Sequence, residues 1–143
     1  MAGFQVKIPF VELLGFDLTK FEDGHSQVDF DPQPEHLNSF NVVHGGVCMT
    51  LLDACMAAAA RSVDREMGVV TIEMKTTFMQ ASKGKLTGKG RLMHRTATMA
   101  FTEATIYDAE GKPCAHATGT FKYVARLPTG ARSVNALNVI STD

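Results

Sequence analysis

Hydrophobic and polar residues alternate along several stretches of the chain. The clearest alternation lies in residues 113–124, where odd-numbered positions from Ala115 to Tyr123 are small or aromatic and the even-numbered ones are polar. Successive side chains of a strand point to opposite faces, so this pattern predicts a strand with one buried face. Two short alternating runs around Glu22-Asp23-Gly24, within residues 16–31, predict a β-hairpin. Three further stretches have strand character: residues 69–79, 85–94 and 101–108.

A stretch that is apolar in every helical direction separates the hairpin from these four strands. Residues 45–60 read GGVCMTLLDACMAAAA, and Arg61 and Gly68 supply signals for the end of a helix. The stretch is short for a membrane span and carries Asp53 near its middle. It therefore predicts a long helix that is buried by the rest of the protein.

The order of these elements predicts an α+β fold, in which an antiparallel sheet curls around one long central helix. The connections at residues 82–85, 95–99 and 109–112 are short enough for the strands that they join to be antiparallel neighbours. One sheet wrapped on one helix leaves an open side, so we expect a symmetric dimer. We predict a single domain over residues 1–126 and a tail over residues 127–143, where both periods are lost.

Composition and charge exclude several classes of protein. A chain of 143 residues is long enough for one hydrophobic core and leaves little room for a second domain. The formal net charge of -1 argues against a protein that coats nucleic acid or an anionic membrane. The three cysteines have neither zinc-ligand nor disulfide spacing, and the first ten residues do not resemble a secretory signal. We therefore expect no metal site and a cytoplasmic location.

The two glycines at the start of the predicted helix are candidates for substrate binding. Gly45 and Gly46 weaken a helix, so their presence needs a reason. The first backbone N–H groups of a helix have no partner within it, and the helix dipole favours negative charge there. A chain without a Cβ lets a carbonyl oxygen approach these donors closely. The structural alternative is that the glycines only relieve crowding between helix and sheet.

Asp53 is the only carboxylate, and the only residue charged at neutral pH, in the apolar stretch. Burial of a carboxylate costs several kcal/mol unless the group is paired or hydrogen-bonded. A structural hydrogen bond is one interpretation, and a general base or nucleophile in an apolar cleft is the other.

Helix geometry separates Gly45 from Asp53 within one chain. Eight residues of α-helix span about 12 Å, too far for both groups to act on one carbonyl. Two such helices that lie antiparallel across a two-fold axis and cross near Met49 would bring Gly45 of one chain beside Asp53 of the other. The sequence thus predicts two equivalent sites per dimer.

Two polar residues accompany the glycines. His44 precedes them directly and either caps the helix, orients the glycine turn or hydrogen-bonds the substrate oxygen. Asn38 either orients a water or thioester through its amide or forms a turn.

These residues carry a resemblance to a known family. The pattern N-x5-HGG-x6-D, preceded by LLGF and followed by TIEMKTTFMQ, resembles the hotdog-fold acyl-CoA thioesterases over about residues 11–125, and among them the phenylacetate-pathway type, also called acyl-CoA thioesterase 13-like. The resemblance implies a sheet wrapped around a central helix, a homodimer often paired into a tetramer, and metal-free hydrolysis of a coenzyme A thioester. It places the family's carboxylate at Asp53, its oxyanion donor at Gly45, and supporting polar residues at His44 and Asn38.

The sequence departs from the family's pattern in places that concern the reactive water and the substrate. Asn41 stands where relatives commonly have Gly, Gln80 replaces a small or hydroxyl residue that some relatives use near the water, and Ala57 replaces a helix hydroxyl of some aromatic-substrate members. The group that assists the water, and the choice of acyl group, therefore stay open.

The resulting hypothesis is hydrolysis of an acyl-CoA to free acid and coenzyme A. The Gly45 amide polarises the carbonyl, and Asp53 of the partner chain acts as base or nucleophile. The alternatives are a non-catalytic acyl-CoA-binding hotdog protein, which we expect to lack the helix carboxylate, and a hotdog dehydratase or hydratase. Four cations are candidates for binding the coenzyme A phosphates: Lys83, Lys85, Arg91 and Arg95. Phe78, Met79 and Phe101 either line the acyl channel or pack in the core.

Overall fold

A computed structural model describes residues 3–4, 6–125, 133–134 and 140–141 of the chain. Its helices and strands are, in chain order, α1 Pro9–Leu14, β1 Asp17–Glu22, β2 His25–Phe30, α2 Gly45–Arg61, β3 Met67–Phe78, β4 Leu86–Arg95, β5 Met99–Tyr107, β6 Pro113–Ala125, β7 Ser133–Val134 and β8 Ile140–Ser141. Apart from the β7–β8 pair, the predicted tail lies outside the described residues.

The six longer strands form one antiparallel sheet in the order β1-β2-β4-β5-β6-β3. Helix α2 packs against all six of them, so the predicted α+β class and the central helix are confirmed. The hairpin is also confirmed, with Asp23 and Gly24 at positive φ in its turn. The alternation in β6 predicted the buried face correctly, because Ala115, Ala117 and Phe121 are all buried on the side of α2.

The prediction that all four later strands are neighbours in chain order was wrong for the first connection. β3 does not pair with β4; it pairs with β6 and forms an edge of the sheet. After Phe78 the chain stays on β6, because the N–H groups of Met79 and Gln80 both donate to the Cys114 carbonyl, and it then crosses to β4. A short linker limits the distance between two strands but does not require them to pair.

The close approach of α2 to the sheet depends on a glycine in β4. A Cβ at Gly90 would collide with the backbone carbonyl of Cys55 and with the Ser26 hydroxyl. That hydroxyl donates a 2.6 Å hydrogen bond to the Cys55 carbonyl. The helix therefore rests directly on the backbone of the sheet.

One stripe of α2 is left uncovered by the sheet. Its residues recur every three or four positions, as one face of a helix does: Gly46, Met49, Thr50, Asp53 and Ala57. The helix is thus buried on most sides, as predicted, and open along the line that joins the glycines to Asp53.

The N-terminal segment forms a short helix that the sequence pattern did not predict. α1 ends at Gly15 in a left-handed conformation and buries Val11 and Leu14, while Phe10 and Leu13 stay exposed. The N–H of Gly3 donates to the Leu18 carbonyl and fastens the segment to β1. Within the described residues, no helix has the length and apolarity needed to cross a membrane.

Candidate active site at the start of the central helix

The first turn of α2 satisfies all but one of its backbone donors. His44 is the N-cap, and its ring Nδ1 accepts a 2.8 Å hydrogen bond from the N–H of Gly46. The His44 carbonyl accepts from the N–H groups of Val47 and Cys48. Among the described residues, no group accepts from the N–H of Gly45. This amide is therefore a donor at the positive end of a helix dipole that is available to a ligand.

The two glycines have different reasons for lacking a side chain. A Cβ at Gly46 would lie 3.0 Å from Nδ1 of His44, so a side chain there would crowd the capping ring and push it away by a few tenths of an ångström. A Cβ at Gly45 would meet only the Phe78 ring, at 3.5 Å, which is an ordinary contact. Crowding thus explains Gly46, whereas crowding within this chain does not explain Gly45.

Asp53 is held by a residue of the neighbouring strand. The hydroxyl of Thr71 in β3 donates a 2.7 Å hydrogen bond to Oδ1 of Asp53. Burial raises the pKa of Asp53 above its ordinary value, and the hydrogen bond from Thr71 opposes that rise. One carboxylate oxygen is therefore fixed by Thr71 while the other is free of side-chain donors from the described residues.

Thr71 is not evident from the sequence pattern, because the strand alternation is broken beside it. The register of β3 against β6 shifts between Thr71 and Glu73, so Ile72 is an extra residue in the ladder. Counted back from Met74 by twos, Thr71 falls on the outer face, but the bulge turns it inward towards α2. The available signal was a hydroxyl just before the centre of the strand, and it could be interpreted only with knowledge of the bulge.

Asn38 organises the loop that leads to His44. Its amide oxygen accepts from the N–H groups of Phe40 and Val42, at 2.9 and 3.3 Å. Asn41 lies in this turn at φ 59°, a conformation that glycine adopts without strain and asparagine tolerates. The amide oxygen of Asn38 therefore stabilises a turn, which is one of the two roles expected from the sequence.

Within one chain, no hydrogen bond joins Gln80 to Asp53. Its amide donates weakly to Asp108, at 3.4 Å, and to the sulfur of Cys114, at 3.6 Å. The hydroxyl beside the carboxylate in this chain is that of Thr71.

The candidate phosphate-binding cations are dispersed. Lys83 and Lys85 follow Ser82, whose carbonyl accepts a hydrogen bond from the N–H of Val43, so they lie on a linker that is joined to the residue before His44. Arg91 is paired with Glu103 at 3.2 Å. Arg95 is paired with Asp64 at 3.4 Å and lies over the Tyr123 ring, near the other end of α2. The linker that carries the two lysines is thus joined to the residues just before α2, although Lys85 lines a pocket with Asp17, Asp29 and Asp31.

The candidate acyl-channel residues lie in different parts of the structure. The Phe78 ring lies against Gly45 and is 52% exposed. Met79 is exposed at the end of β3, and Met49 is exposed on the open stripe of α2. Phe101 stacks on His94 and lies on the outer face of the sheet, because its neighbours Ala100 and Thr102 are the residues buried against α2.

A cavity that the sequence analysis did not foresee begins at Asp53. It has a volume of about 320 Å³ and lies between α2 and the N-terminal segment. Thr50 and Asp53 line one end of it and Arg61 lines the other. In the described part of the chain, histidine, cysteine and carboxylate side chains form no cluster of three that could hold a metal ion.

The fold and this site define a class of protein. A curled six-stranded antiparallel sheet around one main helix is the hotdog fold, which the similar solved structures share. The family model described as "Thioesterase superfamily" matches residues 40–115. The chain belongs to the Thioesterase superfamily, which supports thioester hydrolysis as its general class of reaction.

Relatives and solved structures agree with this assignment. A protein of Saccharolobus solfataricus named "Putative esterase" is 30% identical over 122 residues, which cover 85% of this chain and 86% of that protein. The solved structure of a conserved protein of Pseudomonas aeruginosa is 27% identical, with a TM-score of 0.80, and the match covers 84% of this chain and 97% of that one. The E. coli PaaI protein from the phenylacetic acid degradation operon has the same fold at 20% identity, with a TM-score of 0.78 and 83% and 86% coverage.

Proposed function

We propose that the protein is an acyl-CoA thioesterase, related to the phenylacetate-pathway type, that hydrolyses a coenzyme A thioester to the free acid and coenzyme A. One observation carries the proposal. Of the backbone N–H groups in the first turn of α2, only that of Gly45 has no hydrogen-bond acceptor among the described residues. A donor of this kind stabilises the oxyanion that forms when a thioester carbonyl is attacked.

Asp53 supplies the second half of the chemistry. A water oxygen attacks the thioester carbon while Asp53 accepts the water proton. The C–S bond then breaks, and the coenzyme A sulfur leaves with that proton as the free thiol. Thr71 holds Oδ1, which directs the other oxygen towards the water. The raised pKa of Asp53 supports a base rather than a permanently ionised group, because proton transfer is most efficient when the pKa of the base approaches the working pH.

Two chains are needed to build one such site. Along α2, Gly45 and Asp53 are about 12 Å apart. In β3, Thr71 contacts Asp53 and Phe78 lies against Gly45. Strand β3 therefore runs beside α2 from the carboxylate to the start of the helix. A two-fold axis that passes near Met49 of α2 and near Met74 of β3 superimposes each end on the other.

The surfaces that this two-fold axis would bring together are exposed in the single chain. Met49 is 37% exposed, and β3 is an edge strand whose outer hydrogen-bonding side has no partner strand among the described residues. Pairing of the two β3 edges would continue the sheet across the dimer and bring Gly45 of one chain to Asp53 of its partner. Assembly of dimers into a tetramer, and a cytoplasmic location, stay predictions.

Lys83 and Lys85 are the cations that fit the coenzyme A phosphates in this arrangement. They lie on the linker that Val43 ties to the start of α2, and no ion pair is found for either within the described residues. Arg91 and Arg95 already neutralise carboxylates. The phosphates are therefore expected beside the lysines.

The test is thiol release from a panel of acyl-CoAs by wild type and by Asp53→Asn. We expect hydrolysis by wild type and a loss of at least about 100-fold in kcat/KM for the variant, because the amide cannot accept the proton. Asp23→Asn, which changes an exposed carboxylate in the hairpin turn to a residue that tolerates its positive φ, is the matched control and should leave kcat/KM unchanged. Equal turnover by wild type and Asp53→Asn would refute the assignment. Tight binding of acyl-CoA without thiol release would identify the protein as the non-catalytic alternative.

A further inference from the structure

The cavity beside Asp53 is a feature that the chemistry above does not use. Its floor is the open side of α2 from Thr50 to Arg61, and its walls are the start of β3 and the N-terminal segment. The segment contributes a row of apolar side chains at alternate positions: Phe4, Val6, Ile8 and Phe10. The cavity is thus an apolar slot that starts at the proposed reaction centre and runs along the helix.

We propose that this slot holds the acyl group of the thioester, and that it selects unbranched apolar acyl chains of medium length. The proposal rests on the proposed function, because it takes Asp53 as the position of the reacting carbonyl. It assigns the N-terminal segment, rather than Phe101, as the wall that determines acyl specificity.

The lining favours an apolar chain over a polar one. Between its two ends the slot presents alanine side chains of α2, at positions 54, 57 and 58, and the apolar row of the N-terminal segment. Asp53 and Thr50 are at the reactive end, where the thioester itself lies. Apolar walls with polar groups only at defined points are typical of a pocket that binds an apolar ligand.

Arg61 sets the length of the slot. It is almost fully buried, its guanidinium donates to the Phe4 carbonyl at 3.3 Å, and it lies 5.6 Å from the centre of the Phe21 ring. These contacts join the N-terminal segment to the end of α2, about two helical turns beyond Asp53 along the slot. Asp53 and Arg61 are eight residues apart, so the slot is about 12 Å long, and an extended alkyl chain of about eight to ten carbons spans that distance.

Two exposed residues on α1 offer a matched pair for a test. Phe10 and Leu13 are both apolar and both exposed, at 54% and 77%, so neither is needed for the core. Phe10 lines the slot, and Leu13 does not. Ala57 lies on the floor of the slot and is only partly buried, so a larger side chain at this position fills the slot without entering the core.

The experiment measures binding of S-alkyl coenzyme A thioethers, which cannot be hydrolysed, with alkyl chains of two to twelve carbons. For wild type we expect affinity to rise about fourfold for each added carbon and to level off at about eight to ten carbons. Ala57→Leu should move this plateau to shorter chains and weaken decyl binding by at least about tenfold, with ethyl binding unchanged. Phe10→Ala should weaken decyl binding several-fold, and Leu13→Ala should match wild type at every length.

The outcomes separate this proposal from the proposed function. If Ala57→Leu and Phe10→Ala bind every thioether as wild type does, or if wild-type affinity does not depend on chain length, the slot does not hold the acyl chain. In that case hydrolysis of acyl-CoAs by wild type would still support the proposed function. If the plateau shifts as expected but no acyl-CoA is hydrolysed, the slot is an acyl site in a protein that is not a thioesterase.

Discussion

At the scale of single residues, Asp53 experiences two opposing influences. Burial raises its pKa, and the hydrogen bond from Thr71 lowers it. Only the ionised carboxylate can accept a proton from water, so kcat/KM should fall as the pH drops through this raised pKa. The position of that fall reports directly on the contact between Asp53 and Thr71.

Replacement of Thr71 by valine should move the acidic fall in kcat/KM to higher pH. Valine has nearly the same shape but donates no hydrogen bond, so the influence that lowers the pKa of Asp53 is lost and burial acts alone. We also expect a loss of at least about tenfold in kcat/KM at neutral pH, because a hydrogen bond to a charged group is removed.

Thr71→Ser is the control for that variant, since it keeps the hydroxyl and should restore both the pH profile and the rate. The measurement is kcat/KM across the pH range with one acyl-CoA. An acidic fall at the same pH in wild type, valine and serine variants would show that Thr71 does not act on Asp53.

At the scale of the elements, the first turn of α2 determines where the substrate carbonyl binds. His44 satisfies one donor with its ring and two with its carbonyl, which leaves the Gly45 amide. His44 lies at φ -58° and ψ 135°, a conformation that a following proline permits. Proline is also well tolerated as the first residue of a helix.

Gly45→Pro therefore removes the proposed oxyanion donor without breaking a hydrogen bond of the described structure. We expect kcat to fall by about 100- to 1,000-fold, as when other oxyanion donors are removed. Gly45→Ala keeps the N–H and adds a Cβ at ordinary contact distance from Phe78, so it should lose much less activity than Gly45→Pro. Thermal unfolding would confirm that both variants fold. Similar activity of the two variants would contradict the role of the amide.

The elements differ in how far the sequence determined them. The hairpin, α2 and the buried face of β6 follow from local patterns, because burial repeats with the period of each element. The partner of β3 does not, since β6 is about forty residues away and the choice is made by packing around α2. α1 has only six residues, too few for a clear period.

Some residues of the candidate site could likewise be predicted from the sequence, and others could not. Gly45, His44 and Asp53 belong to one contiguous motif, so their spacing on a helix could be predicted. Thr71 depends on a bulge in β3, and the acyl slot depends on a segment that is distant from α2 in sequence. Neither leaves a periodic signal in the chain.

At the scale of the whole molecule, each proposed site combines the start of α2 from one chain with its middle from the other. The two-fold arrangement makes a prediction that a site within a single chain does not make. A chain that lacks only Asp53 and a chain that lacks only the Gly45 amide each retain the half that the other has lost.

A heterodimer of Asp53→Asn and Gly45→Pro chains should therefore regain activity that neither variant has alone. It contains one doubly damaged site and one intact site, so we expect about half of the wild-type activity per dimer. The two chains can be co-expressed with different affinity tags and isolated by two successive purifications. A heterodimer as inactive as its parents would show that Gly45 and Asp53 do not act across the interface.

The two edges of the sheet have different consequences for aggregation. β1 is short, has a register shift after Leu18, and has its Leu18 carbonyl occupied by the N–H of Gly3, so it is a poor template for another strand. β3 is twelve residues long and exposes Ile72 along its open edge. Two-fold pairing of β3 covers the longer edge of the six-stranded sheet and leaves the two β1 edges outside. The assembly is then finite, and weakening the dimer would favour precipitation as well as inactivity.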